Sequence, residues 1–278
     1  MKVGFIGLGI MGLPMATNIS KKYDVIGYDV IKKDVPFKWA SSYKEVVDFS
    51  DVIITMVPKN EHMLSVYTEL LKYDVKNKIF IDMSTIAPEV SLNMSLKVKN
   101  SGATLIDAPV VKSQPAAIKG ELGIYVGGDY DTYKKVEDIL LCMGKNIIYM
   151  GSNSKGLVMK ILHNMLVGEI QNGVNEVMTI AKALDMNIDD VKTAISYGGG
   201  QCFYLDTKAE NIKNETFPTA FSVENMNKDV HFAKEFATSL SLDLKGLDNV
   251  VSVYEKAMDK GLAKEDFSAS FKVVKENK

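Results

Sequence analysis

The sequence predicts an α/β fold: a doubly wound, mostly parallel sheet in the first half of the chain, followed by an all-helical region. Three observations predict it. Short continuous apolar runs recur between Met1 and Gly151 with helical patterns between them, as strands buried on both faces require. A glycine-rich turn, Gly7-Leu8-Gly9-Ile10-Met11-Gly12, follows the first of these runs directly. After Gly151 the strand signals stop and only stretches of helical period remain.

The first candidate strand is Val3 to Ile6, and a helical pattern from Met11 to Lys21 follows its glycine turn. The three glycines have separate uses in a turn that binds a dinucleotide pyrophosphate. Gly7 permits the tight turn, Gly9 lets the backbone approach the phosphates, and Gly12 lets the next helix pack close to the strand. The helix N-terminus then offers free N–H groups and a positive dipole end to the anion. The second strand, Val25 to Tyr28, delivers Asp29 about 20 residues after the turn, where a ribose hydroxyl would lie. Further strands are predicted at Val52 to Met56, Ile79 to Asp82, Thr104 to Ile106, Gly123 to Val126 and Ile147 to Tyr149, with helices such as Pro88 to Lys99 and Tyr130 to Met143 between them. This is a Rossmann-type alternation. Ligands in such sheets bind at the carboxyl ends of the strands. Gly9, Asp29, Val57, Pro58 and Thr85 all fall just past strand ends and are expected to converge on one crevice.

The domain boundary is placed near residue 155, giving a dinucleotide-binding domain over 1–155 and an all-helical domain over 156–278. A long apolar-periodic segment runs from about Gly156 to Leu184, and further helices are predicted at Asp189 to Ser196, Phe203 to Asn211, Phe221 to Ser239, Leu247 to Lys260 and Phe267 to Lys275. The long segment carries a polar stripe. At about 100° per residue, Lys160, Asn164, Gln171 and Asn175 share one side of the helix. The stripe uses amides more than charges, which suits a lined cleft better than a face in bulk water.

Composition narrows the partners. The chain has 278 residues, 46% hydrophobic and 24% charged, with a net charge of −2. That balance is ordinary for a globular protein and argues against a nucleic-acid footprint. No apolar run approaches membrane-spanning length. Cys142 and Cys202, without a C-x-x-C pair, supply neither a disulfide framework nor a zinc site, so no metal is expected and the cytoplasm is the expected compartment. The chain contains no arginine; all 33 basic residues are lysines. No guanidinium fork is available to clamp a carboxylate or phosphate, so an anionic ligand must be held by lysines, backbone N–H groups, hydroxyls or amides.

Several segments are recognisable together: Asp51-Val-Ile-Ile-Thr-Met-Val-Pro58, Ile81-Asp-Met-Ser-Thr-Ile86, Leu105-Ile-Asp-Ala-Pro-Val110, Gly120-Glu-Leu-Gly-Ile-Tyr-Val-Gly-Gly128, Gly156-Leu-Val-Met-Lys160-Ile-Leu-His-Asn164, Asn227-Lys-Asp229 and the late Glu-Asp266-Phe-Ser268. In this order, behind the opening glycine turn, they resemble the β-hydroxyacid dehydrogenase family. That group includes 3-hydroxyisobutyrate dehydrogenases, tartronate semialdehyde reductases and succinic semialdehyde reductases, and is related to 6-phosphogluconate dehydrogenase. The resemblance covers nearly the whole chain. It implies that Lys160 is the catalytic lysine, that Asn164 in the same centre helps hold the substrate, and that Thr85 and Lys228 contact the cofactor. It also implies a homodimer or homotetramer built largely through the helical parts.

The chemistry agrees. Oxidising a β-hydroxy acid removes the hydroxyl proton while a hydride leaves the same carbon for a nicotinamide; reduction returns both. A lysine amine can serve in either direction when burial or a neighbouring cation brings its pKa toward neutrality, and it can also stabilise alkoxide charge. An amide one turn later shares the helix face and cannot titrate. The cofactor is expected to be NAD, with NADP as the alternative. Asp29 would repel a 2′-phosphate and no arginine is present to clamp one, although Lys32 and Lys33 stand nearby.

One segment departs from the family. Where Ser-Gly-Gly usually receives the substrate carboxylate, this chain has Val111-Lys112-Ser113. Valine offers no polar group, and the Cβ atoms of lysine and serine are expected to close off conformations open to glycine. Lys112 and Ser113 could form a substitute anion site. His163 replaces a frequent asparagine and reads as a packed or partly exposed helix residue. Ser154-Lys155-Gly156 stands where two glycines are common. The leading function is an NAD(P)-dependent oxidoreductase of small β-hydroxy acids or the matching semialdehydes. An imine or other carbonyl reductase on the same scaffold, and an inactive nucleotide-binding regulatory protein, are the alternatives.

Overall fold

The computed structural model describes residues 1–276 and divides the chain into two compact units, Met1–Lys160 and Ile161–Lys278. The first unit opens with β1 (Val3–Ile6), α1 (Gly12–Ser20), β2 (Val25–Tyr28), β3 (Lys38–Trp39), α2 (Tyr43–Phe49), β4 (Val52–Thr55), α3 (Asn60–Leu70), β5 (Ile79–Asp82), α4 (Pro88–Asn100) and β6 (Thr104–Asp107). It continues through β7 (Val110–Val111), α5 (Gln114–Lys119), β8 (Leu122–Gly127), α6 (Tyr130–Leu140) and β9 (Gly144–Gly151). The helix α7 (Lys155–Ala183) begins here and continues into the second unit.

Six strands lie in the order β3-β2-β1-β4-β5-β6, and every neighbouring pair among them is parallel. β8 then turns the sheet, running antiparallel to β6 and β7 and parallel to β9. The strand order reverses at β1, between β2 and β4, so the loops after β1 and β4 leave from a topological switch point. Both faces are covered, which explains the continuous apolar runs. Val3, Phe5, Val52, Ile54, Ile81 and Ile106 pack with α1 and α6 on one face, and Ile26, Ile53, Phe80 and Leu105 pack with α2, α3 and α4 on the other.

The second unit contains α8 (Ile188–Ser196), α9 (Phe203–Asn214), α10 (Val223–Ser239), α11 (Lys245–Asp259), a 3-10 turn (Phe267–Ser270) and α12 (Phe271–Glu276), with no strand among the described residues. Side chains fix several starts. Asn187 accepts from the N–H groups of Asp189 and Asp190, and Ser222 caps α10, which begins at Val223, two residues after the predicted start at Phe221. β3 and β7 fall outside the predicted strands. Each spans two residues, too short for any apolar period to register. α2, α3 and α5 also lie between predicted elements. No described helix is long and apolar enough to cross a membrane.

The start of α7 is held by a distant carboxylate. Asp107, buried at the end of β6, accepts the backbone N–H of Ser154 at 2.7 Å and of Leu157 at 2.9 Å. Gly156 lies so close that an added Cβ would sit 2.3 Å from the Tyr125 carbonyl oxygen. Burial raises the Asp107 carboxyl above its ordinary pKa, against the opposing pull of these N–H donors. Replacing Asp107 with alanine strands two N–H groups and is expected to cost about 2–5 kcal/mol in urea denaturation, with Asp107→Asn losing less because one acceptor oxygen survives.

Candidate active site

Gly9, Asp29, Pro58 and Thr85 follow β1, β2, β4 and β5, which are adjacent and parallel, so all four stand at one edge of the sheet. Gly7 adopts a φ of +92°, and a Cβ there would lie 2.2 Å from the Met56 carbonyl oxygen in the loop after β4. A Cβ on Gly12 would lie 1.9 Å from the Gly7 carbonyl oxygen. Packing therefore demands glycine at both places. Gly9 is different: a Cβ there meets nothing within 4 Å, so its surroundings are open. An open face over the middle glycine, beside a helix whose first turn holds no acidic residue and no side-chain cap, fits a dinucleotide pyrophosphate. Leu8 donates its N–H to Asp29 at 2.7 Å, and the other Asp29 oxygen accepts from Ile31 N–H at 3.0 Å. The carboxylate thus ties the glycine turn to the loop after β2. Ile10 is exposed and Met11 half-buried.

The loops after β4 and β5 are joined by side chains that sequence reasoning passed over. Val57 donates its N–H to the Ser84 hydroxyl at 2.9 Å, and Asn60 accepts from the Ala87 N–H at 2.9 Å. Ser84 in turn donates to Asp82 Oδ1 at 2.7 Å, and Thr55 donates to the same oxygen at 2.8 Å. Asp82 stands in the segment Ile81-Asp-Met-Ser-Thr-Ile86, where the resemblance gives a role only to Thr85. Thr85, beside this network, is half-buried.

The departing segment takes a form that corrects one expectation. Lys112 has a φ of +77°, inside the left-handed region that a Cβ was expected to close off. The strain is modest for a single residue, and the Lys112 amine secures the turn by donating to the Glu121 carbonyl oxygen at 2.8 Å. Val111 pairs with Gly123 across β7 and β8, and a Cβ on Gly123 would lie 2.5 Å from a Val111 methyl. The valine side chain fills the room that this glycine leaves. Ser113 precedes α5 in extended conformation and makes no side-chain cap bond.

On α7, Lys160 is 8% exposed and Asn164 follows one turn later, also buried. Asn164 donates to Asp229 Oδ2 at 2.6 Å, and the Lys228 amine stands 3.5 Å from Asp229 Oδ1. Asn164, Lys228 and Asp229 are thereby brought together within the second unit. The rest of the polar stripe corrects the cleft expectation. Gln171 and Asn175 are fully buried, Gln171 donating to Asn175 at 2.8 Å and Asn175 to the Ser270 hydroxyl at 2.9 Å. They form a core network, because each amide found a partner inside the unit. His163 is half-buried. Among the described residues no group of three or more His, Cys, Asp or Glu is placed to hold a metal ion.

Comparison with known proteins gives a consistent result over both units. Residues 2–151 match the family described as the NAD binding domain of 6-phosphogluconate dehydrogenase, and residues 154–274 match that described as NAD-binding of NADP-dependent 3-hydroxyisobutyrate dehydrogenase. The mitochondrial 3-hydroxyisobutyrate dehydrogenase of Mus musculus is 33% identical over 99% of this chain and 87% of its own. The 2-hydroxy-3-oxopropionate reductase of Escherichia coli is 29% identical over 97% of this chain and 95% of its own. A solved Mycobacterium tuberculosis 3-hydroxyisobutyrate dehydrogenase with L-serine superposes with a TM-score of 0.88 at 27% identity, covering 98% of each chain.

Burial raises the Asp82 carboxyl from 3.8 to about 6. The folded chain therefore keeps this proton through a pH range in which the unfolded chain has released it. The group destabilises the fold at neutral pH, and the penalty fades as pH falls from about 6 toward 4. Urea titrations at pH 7.5 and 4.5 are expected to show wild type gaining about 2 kcal/mol relative to Asp82→Asn on acidification, most of the linkage value for such a shift.

Proposed function

The chain belongs to the 3-hydroxyisobutyrate dehydrogenase family of NAD(P)-dependent hydroxyacid and semialdehyde oxidoreductases, and on that premise we propose that Lys160 is its general acid and base. The observation that carries this reading is a lysine kept buried on the same helix face as a buried amide. The substrates are small β-hydroxy acids or the matching semialdehydes. Bound NAD(P) supplies the chemistry of accepting a hydride from the carbinol carbon or returning one to the carbonyl carbon. The Lys160 amine takes the hydroxyl proton in oxidation and gives a proton to the carbonyl oxygen in reduction. Asn164, oriented by its bond to Asp229, offers its amide oxygen or its remaining N–H to the substrate and cannot compete for the proton.

Gly7, Leu8, Gly9, Ile10, Met11 and Gly12 are assigned to the pyrophosphate, Asp29 to the adenosine ribose, and Val57, Pro58 and Thr85 to the remaining half of the dinucleotide. Lys228 is assigned a cofactor contact. NAD is preferred over NADP, because the Asp29 carboxylate would face a 2′-phosphate with no guanidinium to neutralise it. Val111, Lys112 and Ser113 are assigned to the substrate. With the Lys112 amine engaged on a backbone carbonyl, the contact this turn offers is its contour more than a free cation.

The partner chain is a second copy of the same protein. Leu162, Leu166, Val177, Ile180 and Leu184 are exposed along one side of α7 and its final turn, with exposed Gly173 in their midst. Leu162 and Leu184 are equally distant from Gly173, as are Leu166 and Ile180. A two-fold axis through Gly173 would set this stripe against itself in antiparallel register, with the glycine admitting close approach of the two backbones.

Two measurements check these assignments. Lys160→Ala is expected to lower kcat by about 100-fold or more while leaving NAD(H) affinity within a few-fold; unchanged turnover on the best substrate of a β-hydroxy acid and semialdehyde panel removes the acid–base role. Sedimentation is expected to show a homodimer or homotetramer for wild type and a smaller species for Ile180→Glu, with assembly unaffected by that charge excluding this face.

A further inference from the structure

We propose that Asp82 is a positioning residue for dinucleotide binding: its ionised carboxylate holds Ser84 in the orientation that fixes the loops after β4 and β5. The inference rests on the assignment of Val57, Pro58 and Thr85 to the dinucleotide. It adds a residue to which neither motif nor comparison gives a role.

The geometry is specific. Asp82 ends β5, 0% exposed, in register with Thr55 of β4 and Asp107 of β6. Three donors converge on its Oδ1: the Thr55 hydroxyl at 2.8 Å, the Ser84 hydroxyl at 2.7 Å and the Ser84 N–H at 3.3 Å. With its O–H donated to Asp82, the Ser84 hydroxyl presents its lone pairs to the Val57 N–H at 2.9 Å. One carboxylate oxygen therefore dictates which way Ser84 points, and Ser84 dictates where the Val57-Pro58 loop lies. Thr55 is oriented by the same oxygen and stands 3.1 Å from the Tyr67 hydroxyl of α3.

Strand pairing here does not depend on this charge. The strands are joined here by backbone bonds, Met83 N–H to the Thr55 carbonyl at 2.8 Å and Ala108 N–H to the Asp82 carbonyl at 2.7 Å. Asp82 Oδ2 is buried with no hydrogen-bond partner. The titratable groups that face the carboxylate are Asp107 on the neighbouring strand and Tyr67 on α3, and neither carries a compensating positive charge. A buried carboxylate left in this condition is costly. Its return lies in the loop that Ser84 holds.

Ionisation matters because of charge. Hydrogen bonds to an ionised carboxylate are roughly twice as strong as those to a neutral carboxyl. Protonation weakens all three bonds to Oδ1 and loosens Ser84. The Asp82 carboxyl titrates at about 6, raised chiefly by burial, so the loosening falls just below neutrality.

The test is a pH series of NADH dissociation constants, by nucleotide fluorescence on the full chain between pH 5 and 8.5. It compares wild type, Asp82→Asn, Ser84→Ala and Ser84→Thr, with the melting temperature of each nucleotide-free protein recorded alongside. Wild type is expected to weaken several-fold as pH falls through about 6. Asp82→Asn is expected to bind about tenfold more weakly at pH 8, with that inflection gone, the scale of one lost charge-assisted bond. Ser84→Ala should also bind weakly at pH 8, and Ser84→Thr, which keeps the hydroxyl, should restore affinity. A purely structural role would move melting temperature and leave the inflection in place. Asp82→Asn with wild-type affinity and an unchanged inflection overturns the proposal. If Asp82→Asn does not fold, Ser84→Ala binding as tightly as wild type overturns it instead. Wild type that binds neither NADH nor NADPH removes the dinucleotide assignment itself, a result distinct from either of these.

Discussion

The Asp107 carboxylate at the first residues of α7 is the contact on which the functional reading depends. A long helix entered from a strand can begin at several phases, and each phase turns a different side chain to a given direction. By accepting the N–H groups of Ser154 and Leu157, Asp107 fixes where the helical hydrogen-bond ladder starts. Gly156, pressed against the Tyr125 carbonyl, leaves no room for the start to slide. Lys160 follows at a set angle from that start. The sheet edge and the first turn of the helix are thus one rigid piece of chemistry within the first unit.

Much of the architecture was legible in the amino-acid pattern for a simple reason. Strands covered on both faces must be apolar throughout, so β1, β2, β4 and β5 stand out as unbroken runs. The glycine turn was legible because backbone contacts closer than 3 Å exclude any side chain at Gly7 and Gly12. What escaped has equally physical causes. β3 and β7 owe their existence to neighbours in space and carry no period of their own. The fates of Gln171 and Asn175 turned on whether Ser270, far along the chain, would meet them. The same holds for Asp82: its burial and its bonds to Thr55 and Ser84 come from strand register, which no local pattern reports.

The absence of arginine gives the surface a common character. Most of the ion pairs among the described residues are exposed lysine–carboxylate contacts, such as Lys44 with Asp48 and Lys145 with Glu121. Pairs of that kind add little to stability. Two contrast with them, Lys228 beside the buried Asp229 and Lys208, which meets the fully buried Asp266 at 2.9 Å; the Asp266 carboxylate also accepts N–H groups from Ala220, Phe221 and Ser268. A point-charge ammonium suffices there because backbone and hydroxyl donors complete the shell. The helical unit therefore assembles its closing turn without a guanidinium.

The left-handed Lys112 has a consequence for selectivity. A pair of glycines at this turn would leave the chain free to sample many shapes and settle around whatever it met. A lysine has fewer unfolded alternatives, and its amine is tethered to a backbone carbonyl, so the loop is ready-made. Should this turn meet substrate, as assigned above, a loop already in shape would sort molecules by outline at low reorganisation cost.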